Sequence, residues 1–205
     1  MTDRFAGSNL TCVRGGRLVF ENLTFALEKG EALVLRGPNG TGKSSLLRLM
    51  AGLGVPAEGA VTWNDTPIAD NYPAHAERAH YLGHKNAIKS TLTANENLTF
   101  WADLQGTKSD IDKALIEFDL KRLAYVPARL LSSGETRRLA LARLIANKKS
   151  LWLLDEPTVG LDQNSINRLA DLVNRHRTDG GMVIISIHGL FPLENSQTLD
   201  LGTDS

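Results

Sequence analysis

The segment Gly37-Pro38-Asn39-Gly40-Thr41-Gly42-Lys43-Ser44-Ser45 crowds glycines, a lysine and two adjacent hydroxyls into a stretch that suits neither a strand nor a helix. Glycine lacks a Cβ and opens positive φ, so such a loop can turn its backbone N–H groups around an anion. A helix starting directly after it adds its N-terminus to the same task. The spacing Gly-x-x-x-x-Gly-Lys-Ser fits a nucleotide polyphosphate. The loop amides would cradle the phosphates, Lys43 would neutralise the β- and γ-groups as a point charge, and the Ser44 hydroxyl would ligate Mg2+.

A second centre lies at Asp155-Glu156, which closes the apolar run Leu151-Trp152-Leu153-Leu154. A carboxylate at the end of a buried strand can hold Mg2+, usually through water, while its neighbour points elsewhere. Asp155 is therefore the candidate metal residue and Glu156 the candidate general base that polarises an attacking water. Together the two segments predict hydrolysis of a magnesium-bound nucleotide polyphosphate.

Those side chains need a scaffold. Strand-like runs occupy residues 17–27 and 31–37, separated by a turn at 28–30, and lead into the glycine loop. Residues 43–53 then show helical apolar spacing at Leu46, Leu47, Leu49 and Met50, ended by Gly52 and Gly54. A hairpin is expected over 58–68 with Asn64-Asp65 at its turn, and residues 85–147 read as mainly helical. Thr93 and Glu96 have capping-box spacing there. The apolar runs ending at Asp155 and His188 suit parallel strands covered on both faces, with a helix over 163–177 between them. The expected class is α/β with a helical insertion.

Composition sets bounds. Lys plus Arg and Asp plus Glu number 23 each, so no net basic field draws the 205-residue chain to nucleic acid or anionic lipid, and no nucleic-acid partner is expected. The single cysteine, Cys12, excludes an intramolecular disulfide and fits a reducing compartment. No run approaches the ~18 apolar residues a span requires, and the first ten residues lack an apolar signal core. A cytosolic chain is expected, one that reaches a membrane only through partners.

Beyond the loop and Asp155-Glu156, further motifs make the chain resemble the ATP-binding subunits of ABC transporters along nearly its whole length. Leu131-Ser132-Ser133-Gly134-Glu135 is similar to the family signature Leu-Ser-Gly-Gly-Gln, Val159-Gly160-Leu161-Asp162 to its D-loop, and His188 to its switch histidine. The resemblance implies a P-loop ATPase of ABC type: one domain over residues 1–205, an N-terminal antiparallel β-subdomain, and a helical subdomain (about 85–140) inserted before the signature helix. It implies ATP bound by residues 37–45 and Arg14, Mg2+ at Ser44 and Asp155, and catalysis by Glu156, His188 and His84. Ser132, Ser133, Gly134 and Glu135 would meet ATP on the opposing protomer of a two-chain sandwich, beside Asp162. The chain departs from the family at four places. Ser133 adds a Cβ where backbone approaches phosphate, Glu135 replaces glutamine, His84 stands where glutamine is usual, and Arg14 occupies the adenine-stacking position; weaker signature affinity is the expectation.

Within the family, residues 12–25, 81–89, 93–104 and 131–144 are similar to the ATP-binding subunit of the bacterial cytochrome c maturation haem exporter. That similarity implies membrane-spanning permease partners, a peripheral place on the cytoplasmic face of the inner membrane, and work coupled to haem export or haem-chaperone release. Nothing in the sequence reads as a haem site; His75, His80 and His84 are spaced as ordinary core or surface histidines. An ABC ATPase for another solute and an ATP switch with little turnover stay open as alternatives. A kinase would have no use for the signature segment, and Glu156 argues for turnover.

Overall fold

A computed structural model describes residues 3–104, 110–189 and 191–202. Strands β1 (Arg4–Arg14) and β2 (Arg17–Glu28) form an antiparallel hairpin, and β3 (Ala32–Arg36) leads to α1 (Lys43–Met50). A second hairpin, β4 (Glu58–Trp63) and β5 (Thr66–Pro67), is followed by α2 (Tyr72–Arg78) and β6 (Ala79–Leu82). Helices α3 (Ala94–Asp103), α4 (Ile111–Glu117) and α5 (Ser133–Ala146) come next, then β7 (Leu151–Asp155), α6 (Gln163–Thr178), β8 (Met182–Ser186) and β9 (Gln197–Asp200). Two sheets result, one antiparallel in the order β2-β1-β4-β5 and one with the order β6-β7-β8-β3-β9. Every pairing in the second is parallel.

The continuous apolar runs have a simple cause. In β7, Leu151 and Leu153 face the antiparallel sheet and α1, whereas Trp152 and Leu154 face the helices α3 to α6; Met182/Ile184 and Val183/Ile185 of β8 divide the same way. Side chains alternate along a strand, so a strand covered on both faces must be apolar at every position. Each fully buried leucine here contributes about 1.5–3 kcal/mol of transfer free energy, which fixes the sheet as the rigid platform of the molecule.

Local chemistry sets the connections. Asn64 and Asp65 both adopt positive φ (49° and 63°), as a two-residue hairpin turn demands. Helix α1 stops where the N–H of Gly52 (φ 70°) reaches Leu49 O at 3.0 Å and that of Leu53 reaches Arg48 O at 2.8 Å. Thr93 and Glu96 form the expected reciprocal cap on α3. Strand β1 is longer than its sequence suggests. Gly7-Ser8-Asn9 interrupts the pattern, and the structure absorbs the interruption as a bulge, with Asn9 at φ 49° and register shifts toward both neighbouring strands.

Candidate functional site

Four parallel strands deliver chemistry at the same, C-terminal, edge of the sheet, the edge where open α/β sheets bind ligands. The glycine loop follows β3, Asp155 ends β7, Ser186 ends β8 two residues before His188, and Gly83-His84 follows β6.

The loop is built around close approaches. Gly37 (φ 134°) lies so near the residue after β9 that a Cβ would come 2.2 Å from Leu201 O, and a Cβ on Gly42 (φ 103°) would come 2.6 Å from Val19 Cγ1 of the first hairpin. Only glycine fits at either place. Lys43 is buried, and its Nζ donates to Gly37 O at 2.7 Å and to Pro38 O at 2.9 Å. The Thr41 hydroxyl donates to Pro38 O at 3.0 Å. On the outer side, a Cβ on Gly40 would meet nothing within 4 Å, so the loop opens toward solvent there.

One hydrogen-bonded chain runs from the loop to the strand ends. Ser44 Oγ donates to Asp155 Oδ1 at 3.0 Å, and Ser186 Oγ donates to the same oxygen at 2.9 Å. Asp155 and Ser186 are directly opposite in the β7–β8 register. The backbone N–H of Glu156 in turn donates to Ser186 Oγ at 3.0 Å, and Glu156 Oε1 accepts from His188 Nε2 at 2.9 Å. A hydroxyl and a buried carboxylate converging at 3.0 Å are hard oxygen donors of the kind Mg2+ takes, so the residues fit that ion. Ser186 went unanticipated; a polar residue closing an otherwise apolar strand was the available signal.

Glu156 is a non-glycine residue at φ 46°, and its turn is gripped from behind. Arg137 of α5, only 5% exposed, donates to the carbonyls of Asp155, Glu156 and Pro157. Burial pulls the Arg137 pKa down, and the neighbouring Asp155 and Glu156 carboxylates oppose that. Arg137 was also missed by sequence reasoning, since it sits in a basic pair with Arg138 that looks like a solvated face.

The signature segment starts α5. Ser132 is its N-cap, with Glu135 N donating to Ser132 Oγ at 3.2 Å and Ser132 N donating to Glu135 Oε2 at 2.8 Å. Glu135, expected as a departure that weakens the signature, therefore completes a capping box. The Ser132 backbone N–H, and then its hydroxyl, hold the Glu135 carboxyl below its ordinary pKa. Ser133 is exposed in the first turn. Gly134 packs so closely on the D-loop that a Cβ would lie 3.3 Å from Gly160 O, and Asp162 caps α6 by accepting from Ser165 N at 2.7 Å. His84, Arg14 and Ser45 stand outside the hydrogen-bonded chain; Arg14 lies opposite Arg17 at the tip of the first hairpin, and both it and His84 are exposed.

Residues 20–159 match the ABC transporter family model. A solved structure of the ATP-binding subunit of an ABC transporter superposes with a TM-score of 0.86 at 26% identity, covering 96% of this chain and 85% of that one. An ABC transporter ATP-binding protein from Pyrococcus furiosus shares the fold, with a TM-score of 0.84 at 24% identity and coverage of 98% and 99%. Fold, loop and family match together define an ATP-binding protein of the ABC transporter class. The chain is 50% identical over 202 residues to the cytochrome c biogenesis ATP-binding export protein CcmA of Paramagnetospirillum magneticum, covering 96% of this chain and 93% of that one. It is 52% identical over 198 residues to the protein of the same name from Rhodospirillum rubrum, with coverage of 96% and 85%. The chain belongs to this family of cytochrome c biogenesis ATP-binding export proteins.

Proposed function

We propose that the chain is the ATP-hydrolysing subunit of an ABC transport complex in cytochrome c biogenesis, driving haem export or the release of a haem chaperone. The observation that carries the catalytic part is the continuous chain Ser44–Asp155–Ser186–Glu156–His188 at the mouth of the glycine loop. The family names carry the biological part.

Residues 37–45 bind the phosphates through backbone N–H groups and the start of α1, and Lys43 exchanges its two carbonyl partners for the β- and γ-groups. Ser44 and Asp155 hold Mg2+, which when bound neutralises charge on the transferred phosphoryl group. Glu156 takes the proton of the attacking water as that water adds to the γ-phosphorus and the bond to the bridging oxygen breaks. His188 fixes the Glu156 carboxylate and donates to the γ-phosphate, His84 orients the water, and Arg14 stacks on adenine.

Ser132, Ser133, Gly134 and Glu135 serve the ATP of a second copy, with Asp162 beside that interface, so two chains face each other head to tail around two nucleotides. Residues 85–140 act as a helical subdomain of one domain spanning 1–205. Among the described residues no helix is long and apolar enough to cross a membrane. Permease subunits of the same complex hold the protein at the cytoplasmic face of the inner membrane, and the balanced charge gives it no pull toward nucleic acid.

The test is co-purification from detergent-solubilised membranes, with partners identified by mass and ATP turnover measured on the isolated complex. Recovery of the chain free of any membrane protein, or a complex without ATP turnover, would refute the proposal.

A further inference from the structure

The structure assigns Arg137 a positioning role in ATP hydrolysis: its guanidinium holds the left-handed turn that presents Glu156 and ties that turn to the loop after β6. This rests on the reading of Glu156 as general base.

A guanidinium has five N–H donors in a fixed fork, and Arg137 spends all of them on two turns. Nε donates to Pro157 O at 3.2 Å. Nη2 donates to Asp155 O at 3.1 Å and to Glu156 O at 2.7 Å. Nη1 donates to Gly83 O at 3.2 Å and to Asn86 Oδ1 at 2.9 Å. Three consecutive carbonyls therefore converge on one cation. An extended strand cannot do this, because its successive carbonyls point to opposite sides. The convergence requires the chain to reverse at the middle residue, and Glu156 at φ 46° is that reversal. Such a conformation is disfavoured for a side chain with a Cβ and persists only when its surroundings impose it.

A merely structural role explains the arrangement poorly. A buried guanidinium is costly, and among the described residues no carboxylate forms a side-chain pair with Arg137; its partners there are all carbonyl oxygens. Packing alone would be served better by an apolar side chain. What the cation supplies is geometry at two loops that both border the phosphate site, one carrying Glu156 and the other His84. Lysine, with three donors and no planar fork, can restore only part of that geometry. Arg137 also lies in the turn after the Ser132 cap, so a contact at the start of α5 is passed to Glu156 through one rigid side chain.

The experiment compares Arg137→Gln and Arg137→Lys with the wild type in the assembled complex, each alone and combined with Glu156→Gln, measuring kcat, KM and equilibrium ATP binding. Expected is a fall in kcat of about 10- to 100-fold for Arg137→Gln with KM within about twofold, and a smaller fall for Arg137→Lys. Because Arg137 acts through Glu156, adding Arg137→Gln to Glu156→Gln should cost less than about threefold more. The role is overturned if either single variant keeps wild-type kcat, if the loss falls on KM and binding, or if the two losses multiply. Should Arg137→Gln fail to fold, Arg137→Lys, which keeps the buried charge, decides by the same criteria. Wild-type turnover by Glu156→Gln alone would overturn the general-base reading itself, whereas an inactive Glu156→Gln beside fully active Arg137 variants would overturn only the positioning role.

Discussion

His188 Nε2 lies 2.9 Å from Glu156 Oε1, although the two residues come from the ends of different strands. The contact completes a set of restraints on one acid: its amide is fixed by Ser186, its carbonyl by Arg137 and its carboxylate by His188. If Glu156 is the base, as proposed, a carboxylate held this way loses little freedom on reaction, and orientation of that kind lowers barriers by removing entropy in advance. The His188 side chain is 46% exposed and that of Glu156 24%, so the histidine is the outer member of the pair.

Replacing Glu156 with Gln preserves shape and removes the proposed base. The kcat for ATP should fall by roughly 10²- to 10⁴-fold, the range for general-base catalysis, with Mg-ATP affinity retained. With hydrolysis blocked, an ATP-bound two-chain species should accumulate, visible by light scattering or crosslinking at high protein concentration. Turnover at the wild-type rate would remove Glu156 from its role.

His188→Ala should leave ATP binding intact and lower kcat by about tenfold or more, because the side chain holds the Glu156 carboxylate and, on the proposed function, also contacts the γ-phosphate. Steady-state turnover with parallel nucleotide-binding measurements checks this. An unchanged kcat in the assembled complex would reduce the 2.9 Å contact to a surface ion pair.

Lys43→Ala should behave differently from both. Its Nζ now satisfies Gly37 O and Pro38 O, so the substitution unpins the loop as well as removing the phosphate counter-charge. ATP affinity should drop by at least about tenfold, the cost of one lost charge-assisted hydrogen bond, and no ATP-dependent dimer should form. Fluorescent-nucleotide titration reads the first effect and crosslinking the second; tight binding by the variant would contradict the loop assignment.

Acid should destabilise the protein before its carboxylates titrate. His80 is buried, neither ring nitrogen has a hydrogen-bond partner among the described residues, and burial, then the Arg143 and Lys149 charges, push its pKa to about 3. His176 stacks on Trp152 at 3.8 Å and 1°, and burial pushes it to about 4. Both values lie below the unfolded value of about 6.5, so the unfolded chain takes up protons first. Stability is then full above about pH 6.5 and falls as pH drops toward the folded values, by about 1.4 kcal/mol per pH unit per histidine. Thermal melts between about pH 8 and 4 should show this slope, and His176→Phe, which keeps a stacked ring, should make it shallower. Parallel curves for the two proteins would refute the assignment.

What could be read from the sequence was decided locally. The phosphate loop, the Asn64-Asp65 turn and the Thr93–Glu96 cap each depend on a few adjacent residues, and each has one conformation that suits its chemistry. The Ser132–Glu135 box has the same spacing as Thr93–Glu96 and was legible on the same grounds, although comparison with glutamine points elsewhere. Ser186 and Arg137 were not legible, because their roles exist only once β7 and β8 are in register and α5 lies against both turns. Strand β9 was hidden for a related reason: it is a polar edge strand, and its pairing with β3 rather than any apolar pattern defines it.

That edge strand has a consequence in time. Leu201 donates its N–H to Arg36 O at 2.9 Å, and its own carbonyl forms the wall against which Gly37 turns. A ribosome releases a polypeptide from its N-terminus, so β3 and the glycine loop emerge early while their flanking strand is the last described element to appear. Until then the growing chain carries the nucleotide motif beside an unpaired strand edge. The wall behind Gly37 is thereby completed only when synthesis has passed Leu201, so the loop's final shape is among the last features of the described chain to form.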